Sequence, residues 1–159
     1  MVDLDRRSSL TRSQQDYLKA LYQLHGDQRP VPTGDLAQRL SISSPSVSEM
    51  VAKLSAQGLV EHDRYRGQQL TREGRKVALE LVRHHRLMEM FLVQVLGYSW
   101  DEVHDEAERL EHVISEELEQ RIDKALGFPT HDPHGDPIPD ANLKWPRASG
   151  GRRTSALGA

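Results

Sequence analysis

The sequence predicts a mainly α protein, an N-terminal winged helix-turn-helix followed by an all-helical domain. Three observations lead there. Two short amphipathic helical segments flank the turn Ser41-Ile42-Ser43. Two short strand-like runs then enclose a tip of Arg64, Tyr65, Arg66 and Gly67. From Thr71 to Leu126, apolar residues recur at helical spacing.

Leu10–Leu24 reads as the first helix. Thr11 with Gln14 makes a capping box, and Tyr17, Leu18, Leu21, Tyr22 and Leu24 give the apolar spacing until Gly26 and Pro30 break it. Asp16 precedes that run by one position and by itself reads as a first-turn acid favoured by the helix dipole. Thr33 is the expected cap of a second helix through Leu40, with Leu36, Ala37 and Leu40 inward. Ser44 and Pro45 open a third, because proline suits a first turn whose amide is unpaired anyway. Val47, Met50, Val51 and Leu54 form its core stripe, opposite Ser46, Ser48, Glu49 and Lys53. Such a pair is a helix-turn-helix, whose second helix enters a major groove.

Gly58 ends the third helix, and Leu59-Val60-Glu61 pairs with Gln69-Leu70-Thr71 to form the wing. Arginines at its tip can hold phosphates and probe the minor groove, although they would equally keep an edge strand soluble. The helix pair decides between these readings in favour of double-stranded DNA. The candidate contacts are Ser43, Pro45, Ser46, Ser48, Glu49 and Lys53 on the helix, with Arg64, Tyr65 and Arg66 on the wing.

Thr71 opens a long helix to about Leu96 whose apolar residues cover more than one face, so it is expected to connect two domains and contribute to a dimer. His85 and Glu89 lie one turn apart on it, a spacing that allows two ligands on one cation but more often makes a surface hydrogen bond. Ser99 with Glu102 makes a capping box for the next helix, which carries His104-Asp-Glu-Ala-Glu-Arg-Leu-Glu-His112. At about 100° per residue, His104, Glu108, Glu111 and His112 fall within roughly a quarter-turn, a stripe of metal-competent side chains. Val103, Ala107, Leu110 and Ile114 form a separate apolar stripe for the core. Ser115 caps a last helix with Leu118, Ile122 and Leu126 inward, ending at Gly127 and Pro129. In the turn-rich segment from Pro129 to Pro139, His131 and His134 read as disordered loop histidines sooner than ligands.

Composition narrows the function. No apolar run approaches bilayer length and Met1–Arg12 lacks the apolar core of a signal peptide, so no membrane partner is expected and the location expected is cytoplasmic. The absence of cysteine removes disulfides, thiolate zinc sites and cysteine nucleophiles, leaving oxygen and imidazole for any metal. The net charge of -3 conceals an asymmetry. Residues 1–76 hold 12 Lys/Arg against 9 Asp/Glu, and residues 77–141 hold 5 against 15. The first stretch suits a polyanion; the second suits cations, or simply solvent. The domains expected are 1–76 for DNA binding, 77–141 for metal binding and dimerisation, and 142–159 as a flexible basic tail.

Taken together, these residues resemble one family, the metal-dependent repressors typified by the diphtheria toxin repressor and the manganese transport regulators. The similarity spans roughly Leu10–Pro139. It rests on Ser43-Ser44-Pro45-Ser46-Val47-Ser48, Tyr65-Arg66-Gly67, His84-His85-Arg86-Leu87, the stretch His104–His112 and the closing Gly135-Asp136-Pro137-Ile138-Pro139.

The resemblance implies roles that spacing only permits. Asp16, Glu108, Glu111 and His112 fall at family positions for the principal metal site, and His85, Glu89 and His104 at those for a neighbouring site, giving one or two metals per subunit. Methionine and cysteine stand in the iron-responsive branch where Asp16 and Glu108 stand here. Carboxylates at both positions suit Mn²⁺, with Fe²⁺ second. Lys19 replaces a second N-terminal glutamate of the short manganese regulators, so their bridging arrangement is not expected. The longer branch continues into an SH3-like domain, whereas this chain stops at Ala159, which implies that ligands from such a domain are missing. Glu49 replaces a glutamine common in the recognition helix of the iron repressors, so operator preference is expected to shift. The function implied is a homodimeric, manganese-responsive repressor of metal-homeostasis genes on a palindromic operator. An iron-responsive member and a metal-independent winged-helix regulator are the alternatives. An enzyme is not expected: Glu108-x-x-Glu111-His112 differs from the zinc-protease motif His-x-x-Glu-His at its first position.

Overall fold

The first helix begins where its capping box predicts. In the computed structural model, which describes residues 7–147, α1 spans Arg12–Gln23. Thr11 Oγ1 accepts from the Gln14 amide at 3.1 Å, and Gln14 Oε1 accepts from the Thr11 amide at 3.0 Å. It ends in a Schellman turn whose left-handed residue is His25 (φ 66°), with the Gly26 amide donating to Leu21 O at 2.8 Å.

The next two helices, α2 (Thr33–Leu40) and α3 (Ser44–Ala56), form the helix-turn-helix, with Ser41 left-handed between them. Thr33 is not the cap that was expected. It is already helical, and its hydroxyl hydrogen-bonds Gln68 Oε1 at 3.1 Å, tying α2 to the hairpin. Ser43 caps α3 by accepting from the Ser46 amide at 3.2 Å, with Pro45 in the first turn. The wing strands β1 (Val60–Asp63) and β2 (Gly67–Leu70) pair antiparallel, Val60 opposite Leu70 and Asp63 opposite Gly67, closer to the tip than predicted. Gly67 is obligatory: its φ is +113°, and a Cβ there would lie 2.0 Å from the Val31 carbonyl oxygen.

A 23-residue helix, α4 (Arg72–Gln94), stops short of Leu96. The chain divides into two compact units after Val82, not after residue 76, because Val77, Ala78 and Leu81 pack into the first core while Leu87, Met88 and Leu92 belong to the second. The first core is built on Tyr17, Leu18, Leu21, Leu36, Val47 and Leu54.

In the second unit, α5 (Val103–Leu110) does not open at Ser99. The Ser99 carbonyl takes the amides of Glu102 and Val103 in a turn, and Glu102 precedes the helix without a side-chain cap. It also ends earlier than the ligand stripe requires, so Glu111 is its last, half-in residue and His112 lies in the following turn. Ser115 caps α6 (Glu116–Ala125) as predicted, at 3.1 Å from the Leu118 amide. Leu118 is not inward: it is 45% exposed, while Ile122 enters the core beside Val103, Ala107 and Ile138. The predicted flexible tail is folded as far as it is described. Asp140 Oδ1 accepts from the Asn142 and Lys144 amides at 2.8 and 3.0 Å, Leu143 is buried, and Arg86 stacks 5.5 Å from the Trp145 ring centre. The rest of the predicted tail, 148–159, lies outside the described residues. Among the described residues no helix is long and apolar enough to cross a membrane.

Candidate metal centre and DNA-binding face

His85 is the hub of the second unit's polar interior. Its Nε2 lies 2.7 Å from Glu89 Oε1 and its Nδ1 2.6 Å from Glu111 Oε2, with all three side chains buried. The i, i+4 spacing on α4 brings His85 and Glu89 together, and the turn after α5 delivers Glu111. A neutral imidazole donates from only one nitrogen, so with a carboxyl group on each edge the second contact needs a further proton, on the ring or on a carboxyl group, or a cation among them. His104 completes the cluster at 3.1 Å from His85 and 3.2 Å from Glu89 Oε1. Burial raises the Glu89 carboxyl, but the hydrogen bonds and charges of His85, His104 and His134 outweigh it and hold the group down at about 2. The donor set of two imidazoles and a carboxylate fits a first-row divalent cation.

His134 was read as a disordered loop residue, and the structure places it otherwise. Its Nδ1 lies 3.2 Å from Glu89 Oε2, and Asp132 and His134 each offer a ligand atom within 4.8 Å of the other and of Glu89. The turn Asp132-Pro-His-Gly-Asp136 holds it there. Asp132 Oδ1 accepts from the amides of His134 and Asp136, both at 2.9 Å, and His131 bridges to Pro137. The Asx-turn chemistry of this stretch was the available signal for an ordered loop. Burial raises the Asp132 carboxyl, the direction for an acid short of positive partners. His131 itself faces solvent.

The remaining candidates divide between the units. Asp16 lies half-buried on α1 in the first unit, 4.0 Å from Arg12 Nε. Glu108, Glu111 and His112 belong to the second unit. The predicted stripe meets in pairs: exposed Glu108 lies 3.2 Å from His104 Nε2, and Glu111 Oε1 lies 3.5 Å from His112 Nε2 while its Oε2 meets His85. Glu111 keeps helical backbone (φ -58°, ψ -26°) as the C-cap of α5, so the difference lies in what each side chain meets: Glu111 reaches buried His85, and Glu108 stays at the exposed edge beside His104.

Beside this cluster runs a network that sequence reasoning missed. Arg83 donates to Glu119, to Asp123 at 2.9 Å and to the Pro139 carbonyl at 3.0 Å; His84 pairs with Glu119 and lies 3.3 Å from the Glu111 carbonyl. His84 and Glu119 can also be grouped with Glu116 as metal-competent. The buried guanidinium already neutralises that carboxylate, so a structural role suits it better. Arg83 was hidden because nothing in its local sequence announces burial.

In the first unit the predicted DNA-binding residues share an exposed setting. Ser43, Pro45, Ser46, Ser48, Glu49 and Lys53 are all exposed on α3 and its cap. Arg64, Tyr65 and Arg66 are exposed at the wing tip, where the Tyr65 and Arg66 amides donate to Asp63 Oδ1 at 2.8 and 3.2 Å. The Tyr65 amide holds the Asp63 carboxyl below its ordinary range.

Comparison with known proteins agrees with both halves. Residues 9–68 match the family "Iron dependent repressor, N-terminal DNA binding domain" and residues 71–140 match "Iron dependent repressor, metal binding and dimerisation domain". The chain is 42% identical over 123 residues to the iron-dependent repressor IdeR of Mycobacterium tuberculosis, and 40% identical over the same length to the diphtheria toxin repressor of Corynebacterium diphtheriae. Each match covers 77% of this chain and 54% of the relative, so the chain spans about half the length of these relatives. A solved structure described as a manganese-dependent transcriptional repressor in complex with manganese is similar at TM-score 0.75 and 52% identity, covering 84% of this chain and 61% of that one. A DNA-binding unit that matches one half of this architecture, followed by an imidazole–carboxylate unit that matches the other, places the chain in the diphtheria toxin repressor family of metal-dependent repressors.

Proposed function

We propose that this chain is a metal-responsive transcriptional repressor that binds a palindromic operator as a homodimer in the cytoplasm and controls metal-homeostasis genes. The observation that carries the metal requirement is buried His85 with a carboxylate oxygen at each ring nitrogen, beside His104. On the family resemblance, Asp16, Glu108, Glu111 and His112 hold the principal ion. His85, Glu89 and His104 hold a second, and Asp132 and His134 extend its ligand set from within this chain. Hard oxygen donors at Asp16 and Glu108 favour manganese, with iron the next choice. The iron-dependent name of one relative and the manganese-dependent name of a similar solved structure keep both metals in the test.

On the family resemblance, one cation held by Asp16, Glu111 and His112 would narrow the conformational ensemble. Without it, carboxylates repel one another and the ensemble broadens. With it, the two α3 helices of a dimer are held for successive major grooves, and by reciprocity DNA tightens metal binding by the same factor. The test is a DNA-binding titration at fixed salt, metal-free and then with Mn²⁺, Fe²⁺ and Zn²⁺ separately. Affinity should rise steeply with Mn²⁺ and collapse on chelation, and Asp16→Ala should abolish the stimulation without unfolding the protein. Equal affinity with and without metal would overturn the proposal in favour of a metal-independent regulator.

A further inference from the structure

The exposed side of α3 is unusual in its chemistry. Over its first two turns it presents Ser44, Pro45, Ser46 and Ser48, all short, and then Glu49. The small residues let the helix backbone approach a groove floor closely. Two of the nearby hydroxyls are already engaged: Ser43 Oγ accepts from the Ser46 amide and lies 2.8 Å from Ser46 Oγ. Glu49 is therefore the long side chain of that stretch, and its carboxylate can only accept. One turn on, Lys53 Nζ lies 3.6 Å from Glu49 Oε1, with both side chains mostly exposed. The ammonium offsets the repulsion that a carboxylate meets among DNA phosphates and limits where the carboxylate swings.

We propose that Glu49 is the specificity-determining residue of the recognition helix and that it selects cytosine at one position of each operator half-site. The inference rests on the DNA-binding reading above and adds the base. In the major groove guanine and thymine show acceptors, which repel a carboxylate. Adenine shows its N6 donor beside the N7 acceptor, and cytosine shows the N4 amino group. Cytosine is thus the base that an acceptor-only side chain fits best. A glutamine at the same position would instead match adenine, donating to N7 and accepting from N6.

The experiment is selection from a duplex library with randomised half-sites, using the full chain saturated with Mn²⁺, in three forms: wild type, Glu49→Gln and Glu49→Ala. Thermal melting checks that the variants fold, as expected for an exposed position. The wild type should enrich cytosine at one position per half-site, Glu49→Gln should move that preference to adenine, and Glu49→Ala should flatten it, with the other positions unchanged. Replacing that cytosine in a single duplex should weaken the wild type by about fivefold or more and leave Glu49→Ala indifferent. The same base profile in all three proteins would overturn the assignment even if metal-stimulated binding is intact. Enrichment of no sequence by the wild type would overturn the DNA-binding reading along with it. Repeating the wild-type selection after chelation separates the metal requirement from base choice, since Glu49 governs only the profile.

Discussion

Leu18, Leu21, Leu36, Val47 and Leu54 are fully buried in the first unit, in the larger of the two apolar cores. At similar depth the second unit holds Arg83, His84, His85, Glu89, Glu111 and Glu119 among fewer apolar residues. Apolar burial is self-sufficient, whereas each buried charge is tolerable only while its partner is present. The first unit buries polar groups too, with Arg7 Nε 3.7 Å from Glu80 and Gln68 donating to the Val31 carbonyl at 3.0 Å, but around a larger apolar core. The second relies more heavily on charges that need their partners, so a cation bound there would act on its stability as well.

The comparison breaks most readily at Glu119. Removing this carboxylate by Glu119→Ala leaves Asp123 as the carboxylate on Arg83 and takes the carboxylate partner from His84, and should cost about 3 kcal/mol in urea unfolding. A loss under about 1 kcal/mol would show that the second interior does not depend on charge pairing. Burial raises the Glu119 carboxyl, but the contacts of His84 and Arg83 bring it below its ordinary range. Its contribution is therefore complete above the usual carboxylate range and is lost as the pH falls through the lowered value, so Glu119→Gln should flatten the acid side of the stability profile.

In the first unit, Leu54→Ala should cost about 2–5 kcal/mol by leaving a cavity, with no dependence on metal or acid pH. Added Mn²⁺ at a hundredfold excess over its dissociation constant should stabilise the wild type by about 2.7 kcal/mol. Calorimetric melts with metal and after chelation read this directly, and Glu89→Ala should shrink the gain. Ser43→Ala, which deletes the α3 cap, should cost about 1 kcal/mol and weaken DNA binding through the start of α3. The smallest effect is expected at the exposed Arg121–Glu117 pair (2.7 Å), where Glu117→Ala should change stability by less than about 0.5 kcal/mol. A larger loss there would mean that surface charge, and not burial, sets the second unit's sensitivity.

Local rules made much of the fold legible. The boxes and caps at Thr11 and Ser115, the proline at the head of α3 and the helical apolar spacing all act within a few residues, and each appears in the structure. The failures are equally local in appearance and non-local in cause. Thr33 has the composition of a cap, but a hydrogen bond to Gln68, 35 residues away, claims its hydroxyl. Ser99 and Glu102 form no box because the chain makes a tight turn there before α5 starts. The metal-competent residue types could be read off as a stripe, but their grouping could not. His134 meets Glu89 across 45 residues, and Glu111 meets His85 across 26.

By itself, the sequence determined the order and type of the elements, the placement of an exposed polar helix face and wing, and the residue types available to a cation. These follow from side-chain periodicity and from hydrogen bonds that close within one turn of chain. Only the tertiary structure decided which of those residues meet: His85 between Glu89 and Glu111, His134 on Glu89, and Arg83 on Glu119 and Asp123. Such contacts depend on where helices end and on how loops return, which packing sets and periodicity does not record.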